Sequence, residues 1–176
     1  MAGLSRAQLL GSLAACGILG PLSVRPAGAA AHADSGDIQL INASIALERA
    51  AIKMYGDAAA AHLVSTNVAN VTNQFSNDHT AQLGALVALV QQDGQTPSAD
   101  TTALTAPDMK TEADFLAFAL STERQLASSY LAAVPQFKNR DLAKTAASIL
   151  GVDTTHVAVL SEALRQYPAY PSGFVS

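Results

Sequence analysis

The chain carries two copies of one polar pattern within apolar, helix-forming sequence. Each copy has a glutamate, a tyrosine seven positions later and a histidine further along; the copies are Glu48, Tyr55 and His79, then Glu123, Tyr130 and His156. The glutamate-to-histidine spacing is 31 residues in the first copy and 33 in the second. Two such copies indicate a helical bundle that directs carboxylates and imidazoles toward one interior point, which is the arrangement of a metal site.

The composition favours closely packed helices over a sheet. A length of 176 residues suits one domain with a sizeable core. Hydrophobic residues make up 49% of the chain but aromatic residues only 5%, and alanine, the best helix former, dominates the apolar set. The net charge is −4 and no lysine- and arginine-rich run occurs, so nucleic acid is not expected as a partner.

Residues 1–33 are typical of a secretory signal peptide, and we predict a mature domain at 34–176. Arg6 precedes an apolar stretch over 7–24, and Ala31 and Ala33 provide the small residues of a cleavage site. Glycines and a proline interrupt the apolar stretch, which argues against a transmembrane helix, and no span is predicted in the mature chain. We therefore expect export to the periplasm or the extracellular space, by a route that the sequence leaves open.

The single cysteine, Cys16, allows two interpretations. Residues 13–16 resemble a bacterial lipobox, in which the cysteine is lipidated and anchors the mature chain to a membrane. The sequence stays apolar after Cys16, whereas lipoproteins usually turn polar there, and this favours a small apolar residue of the leader. In that case the mature chain has no cysteine and forms no disulfide.

Apolar periodicity predicts four helices in the mature domain. They are expected over 37–64, from a turn at 65–67 to 93, from a capping pair at Thr111 and Asp114 to Pro135, and over 139–166. The segment 94–110 is rich in polar residues and proline and is predicted as a long connection. A short irregular tail follows from Tyr167.

In each predicted hairpin the glutamate and the histidine are equidistant from the turn. The midpoint of Glu48 and His79 lies beside the first turn, and the midpoint of Glu123 and His156 lies beside the second. Residues equidistant from the turn of an antiparallel pair have the same height, so each glutamate is expected to face its histidine.

Two hairpins joined by a long crossover, with these motifs, resemble an exported bacterial ferritin-like domain protein, related to ferritins, rubrerythrins and desiccation-related proteins. That superfamily uses a glutamate from each of two helices and a Glu-x-x-His pair from each of the other two. Here α-helical Asp153 and His156 give Asp-x-x-His, and Ser76 and His79 give Ser-x-x-His. The resemblance implies a left-handed four-helix bundle and a di-iron or di-manganese centre whose metal ligands are Glu48, His79, Glu123, Asp153 and His156.

Ser76 departs from that pattern, because it stands where the family has a metal-bridging glutamate. A neutral hydroxyl is a poor ligand for a hard dication, and Asp153 is one methylene shorter than the usual glutamate. Asp78 precedes His79 by one position and so points about 100° away around the helix. We expect the remaining ligands to hold one iron or manganese ion well and a second one weakly, with zinc as another occupant.

The same residues also have plainer interpretations. The glutamates would then be solvated helix charges and the histidines hydrogen-bonded core residues. Tyr55 and Tyr130 lie two turns along the glutamate face, as core residues with a polar tip or as groups that support the ligands or carry a radical. Arg49 and Arg124 are expected at the surface or in ion pairs between helices, and His62 at one end of the bundle.

Three functions follow from these alternatives. The first is an iron- or manganese-dependent oxidoreductase or ferroxidase-like protein of metal or oxidative stress. The second is a metal-binding protein without turnover, and the third is a non-catalytic structural or stress-protective bundle with a degenerate site. The sequence leaves open whether the chain is an enzyme. It also leaves open the oligomeric state, a homodimer included.

Overall fold

The computed structural model describes residues 33–167, which form a bundle of four helices. Helix α1 spans Ser35–Ala60, α2 spans Thr66–Gln92, α3 spans Glu112–Ala133 and α4 spans Arg140–Ala163. A 3-10 turn, Val134–Gln136, follows α3, and the described residues contain no strand. The prediction of an all-α four-helix bundle is confirmed.

Side-chain caps explain where the helices begin. At the start of α3 the predicted capping box forms: the Asp114 amide donates to Thr111 Oγ1 at 3.2 Å, and the Thr111 amide donates to Asp114 Oδ2 at 2.9 Å. Asp34 and Asn139 cap α1 and α4 by accepting hydrogen bonds from first-turn amides. Ser65 occupies the N-cap of α2 without a side-chain cap hydrogen bond.

Two helices end earlier than the sequence predicts, for the same backbone reason. Helix α1 ends at Ala60 rather than 64, because His62 has a φ of 52°, in the left-handed region that terminates helices. Helix α4 ends at Ala163, before Arg165 with a φ of 55°. His62 is exposed in the turn, at the bundle end where it was predicted.

The helices form two hairpins, α1 with α2 and α3 with α4. Residues 94–110 connect the hairpins without a helix, as predicted, and run along α1. The Thr102 amide donates to the Ala46 carbonyl at 3.0 Å, and the Ser98 amide donates to Asn42 Oδ1 at 2.8 Å. Arg49 donates to the Ser98 carbonyl. Arg49 therefore holds the crossover against α1.

Two apolar clusters form the core, and a group of buried polar side chains in the middle of the bundle lies between them. One cluster includes Phe75 and Phe115, and the other includes Ile45 and Ile149. Each fully buried side chain of this size contributes about 1.5–3 kcal/mol. The clusters therefore supply the stabilisation that allows charged side chains to be buried between them.

Several sequence predictions fall outside the described residues. The signal peptide, apart from Ala33, the lipidation site at Cys16 and the tail beyond Tyr167 all lie there, so the division at 33/34 stays a prediction. Across 33–167, no helix combines the length and apolar character that crossing a bilayer requires.

Candidate metal centre

Each helix places at least one buried ionisable side chain in the middle of the bundle. Glu48 comes from α1, His79 from α2, Glu123 from α3, and Asp153 and His156 from α4. None of the five is more than 2% exposed. The structure thus brings all five predicted ligands into the interior, and the interpretation of the glutamates as solvated helix charges is wrong.

His79 connects the two glutamates. Its Nδ1 lies 2.8 Å from Glu48 Oε2, and its Nε2 lies 3.0 Å from Glu123 Oε1. The first contact confirms that Glu48 and His79 share one height in their hairpin. The second joins the two hairpins through a single imidazole.

His156 is held in a similar way, by one expected and one unexpected partner. Its Nδ1 lies 3.3 Å from Glu123 Oε2, and its Nε2 lies 3.2 Å from Asp78 Oδ2. Asp78 projects away from the His79 face, as predicted, but that direction leads to the neighbouring helix α4. Sequence reasoning missed this contact because it depends on the lateral placement of α4 beside α2.

Both tyrosines hold a glutamate of the other hairpin. Tyr55 Oη donates to Glu123 Oε1 at 2.5 Å, and Tyr130 Oη donates to Glu48 Oε1 at 2.5 Å. Burial, followed by the negative charge of the adjacent glutamate, raises the pKa of each phenol well above its usual range. The phenols therefore remain protonated hydrogen-bond donors.

Four of the predicted ligands form a cluster of metal-binding dimensions. One ligand atom from each of His79, Glu123, Asp153 and His156 lies within 4.8 Å of all the others. Metal–ligand distances of about 2.0–2.2 Å place opposite ligand atoms roughly 4 Å apart, so the cluster needs little movement to hold one ion. Glu48 is not among these four, and its role as a ligand stays a prediction.

The two positions that flank His79 on α2 differ from each other. Ser76, one turn before it, is half-buried and offers only a hydroxyl. Gln82, one turn after it, is 2% exposed, and its Nε2 donates to Asp153 Oδ1 at 3.4 Å. Sequence reasoning missed Gln82, although it follows Phe75 by seven positions and so is a polar residue on the buried stripe.

The hydrogen bonds decide the charges of the centre. Burial by itself raises the pKa of Glu123, but hydrogen bonds from His156 and His79 outweigh it and lower that pKa to about 2. Burial lowers the pKa of His79, yet its hydrogen bonds to Glu123 and Glu48 raise it well above the usual range. The pKa of His156 is also raised, because its bonds to Asp78 and Glu123 outweigh burial.

Residues 36–166 match the ferritin-like domain family. The chain belongs to this family. No curated protein matches it.

Two solved structures share this fold at low sequence identity. A structure described as ferritin-like, diiron-carboxylate proteins from Bacillus anthracis aligns with a TM-score of 0.62 and 19% identity, over 73% of this chain and 94% of that one. A conserved hypothetical protein from Mycobacterium tuberculosis aligns with a TM-score of 0.68 and 20% identity, over 80% of this chain and 97% of that one.

The donor set of this ferritin-like protein fits a hard divalent cation. Burial, with repulsion from Glu48 and Glu123, raises the pKa of Asp153 well above its usual range. Among the described residues, Asp153 Oδ2 is also a buried oxygen without a hydrogen-bond partner. A cation would supply the positive charge that an ionised Asp153 lacks, and carboxylate oxygen with imidazole nitrogen suits iron and manganese.

Proposed function

We propose that this ferritin-like protein binds iron or manganese in the core of its bundle. The observation that carries the proposal is the buried cluster of His79, Glu123, Asp153 and His156, whose ligand atoms lie within 4.8 Å of one another. An acid with a raised pKa, packed against imidazoles and carrying an oxygen without a partner, is costly unless a cation binds beside it.

The ligand atoms have distinct tasks in this proposal. Glu123 and Asp153 would neutralise the cation, and the two imidazoles would complete its coordination. Asp78 would fix the orientation of His156 through Nε2, and Tyr55 would fix Glu123. Binding would displace protons from both histidines and from Asp153, because only their deprotonated forms coordinate a metal.

The finer proposal is an oxidoreductase or ferroxidase-like role in metal or oxidative stress, in a protein exported to the periplasm or beyond. Bound iron would supply one-electron exchange with oxygen or peroxide. The relative from Bacillus anthracis is described as a diiron-carboxylate protein, which supports this direction. The apolar clusters on both sides of the centre would exclude water from the ligands.

Metal loading tests the proposal directly. The full chain is incubated with Fe(II) or Mn(II), excess metal is removed, and metal per chain is measured by elemental analysis. We expect at least one ion per chain, its loss in Glu123→Ala, and its retention in the control Asp57→Ala, whose exposed carboxylate pairs with Lys53. Oxygen consumption on addition of Fe(II) then tests the finer role. A wild-type protein that retains neither metal refutes the proposal.

One observation favours a structural bundle as the second candidate. Every ring nitrogen of His79 and His156 already has a carboxylate partner. Such a network holds the hairpins together without a cation. In that case His156→Ala lowers the unfolding temperature but changes no metal content, since wild type retains none.

A further inference from the structure

The two histidines define the register between α2 and α4. The rings of His79 and His156 have centroids 5.3 Å apart, and Gln82 donates to Asp153 at 3.4 Å. From the histidine pair to the Gln82–Asp153 pair, the residue number rises by three on α2 and falls by three on α4. The two helices are therefore antiparallel. Gln82 and Asp153 therefore form the next layer of facing residues beside the histidine layer.

The layer on the other side of the histidines has no such pair. The same register places Ser76 of α2 opposite Val159 of α4. Ser76 is half-buried, Val159 is 8% exposed, and together they offer a single hydroxyl. The centre is therefore asymmetric: the facing pair Gln82 and Asp153 supplies a carboxamide and a carboxylate, whereas the facing pair Ser76 and Val159 supplies neither. Asp78, on the Ser76 side of His79, is already bound to His156.

The Gln82–Asp153 layer contains two buried oxygens that need a partner. Within residues 33–167, Gln82 Oε1 and Asp153 Oδ2 are buried side-chain oxygens without one. The amide of Gln82 directs Nε2 toward Asp153 Oδ1 at 3.4 Å, and this orientation leaves Oε1 without a donor. A buried carbonyl oxygen without a donor destabilises the fold, so this arrangement is expected to serve a ligand.

We propose that Gln82 is a direct ligand of the cation, through Oε1, beside Asp153 Oδ2, and that this end of the centre holds one ion. This inference rests on the proposed function and specifies it for this chain. Hard cations accept carboxamide oxygens as well as carboxylates. A neutral ligand also adds no further negative charge to a site that already buries Glu48, Glu123 and Asp153.

The test is a titration of the full chain with Mn(II) and with Co(II), in wild type, Gln82→Met and Gln82→Glu. Methionine has a similar length and removes the oxygen, whereas glutamate keeps an oxygen and adds charge. Gln91→Met is the matched control, because Gln91 is an exposed residue of the same helix. The readouts are ions per chain, the dissociation constant and the visible spectrum of bound Co(II), which reports on coordination rather than on activity.

We expect one ion per wild-type chain. In Gln82→Met we expect a dissociation constant at least about tenfold larger and a changed Co(II) spectrum. Gln82→Met also removes the Nε2 donor to Asp153, so the unfolding temperature of the metal-free variant is measured to show that it folds. If that variant does not fold, Gln82→Glu decides, and we expect it to bind the cation more tightly.

The failures of the two proposals are distinguishable. A wild-type chain that binds neither ion overturns both. A wild-type chain that binds an ion, with an unchanged constant and spectrum in Gln82→Met, overturns the role of Gln82 alone; a water molecule between the two oxygens would give this result. An unchanged constant in Gln82→Glu also overturns it.

Discussion

Tyr130 donates a hydrogen bond to Glu48 at 2.5 Å, although 82 positions separate the two residues. Tyr55 makes the equivalent bond to Glu123, across 68 positions. Each hairpin thus provides the phenol that holds the glutamate of the other hairpin. The two copies of the sequence pattern therefore bond to each other in the fold, and these bonds fix the orientation of both glutamate carboxylates in the centre.

Removal of the Tyr130 hydroxyl tests this connection. Tyr130→Phe leaves Glu48 Oε1 buried without its donor, and we expect a loss of about 1–3 kcal/mol in the free energy of unfolding, measured with urea. The control is Tyr167→Phe, at a residue 68% exposed, whose effect should stay within about 0.5 kcal/mol. Equal stability of the two variants would contradict a structural role for the bond.

The heights of the ligands were predictable, whereas the contacts between hairpins were not. Helical periodicity and the positions of the turns place Glu48 opposite His79, and the observed distance of 2.8 Å agrees. The pairing of Tyr130 with Glu48 depends on how the hairpins slide relative to each other. That offset does not follow from the periodicity of any helix, and the segment 94–110, which joins the hairpins, has no repeating geometry from which to derive it.

The metal-free protein should lose stability as the pH rises above about 6.5, the ordinary histidine pKa of an unfolded chain. Burial lowers the pKa of His79 and His156, but their hydrogen bonds to carboxylates raise it by more, so both pKa values are raised overall. Their stabilisation is therefore complete below the unfolded pKa and is lost as the pH passes the raised folded values. Asp153, whose pKa is also raised, contributes with the same sign.

Unfolding temperatures between pH 6 and pH 9, without metal, measure this loss. His62→Asn is the matched control and should show the same decline, because His62 is exposed in the turn after α1. With Mn(II) present the decline should be smaller or reversed, since metal binding strengthens as the ligands lose their protons. A metal-free protein that becomes more stable toward pH 9 would contradict the assigned charges.

Asp78 should control metal affinity without belonging to the cluster. It accepts a hydrogen bond from His156 Nε2 at 3.2 Å, which orients the ring and increases its basicity. We expect Asp78→Ala to weaken Mn(II) binding about 10–100-fold, and Asp78→Asn, which keeps an acceptor, to weaken it less. The control Asp57→Ala should bind Mn(II) as wild type does, and an equal loss in that variant would point to a nonspecific charge effect.

Arg49 should stabilise the crossover segment 94–110, whereas Arg124, the arginine at the same place in the second copy of the sequence pattern, should have little effect on stability. Arg49 donates to the carbonyls of Ser98 and Asp100, and Arg124 makes one exposed contact of 3.4 Å to Gln166. Arg49→Ala should lower the free energy of unfolding by about 1–2 kcal/mol and increase proteolysis within 94–110. Arg124→Ala should change it by no more than about 0.5 kcal/mol. The reverse order of effects would contradict the role of Arg49.

Ser76→Glu tests whether the other end of the centre can accept a second cation. Ser76 precedes His79 as Asp153 precedes His156, so a glutamate there adds a carboxylate in the corresponding layer. A second carboxylate-rich layer should raise the stoichiometry from one ion per chain toward two, as read by elemental analysis after loading with Fe(II) or Mn(II). Asn73→Glu, one turn earlier and exposed, is the control for added charge on α2. Ser76→Glu is compared with wild type only if its helical content is unchanged. If it then binds no more metal than wild type, the missing carboxylate does not limit the stoichiometry. In that case the packing around Val159 leaves room for one ion only.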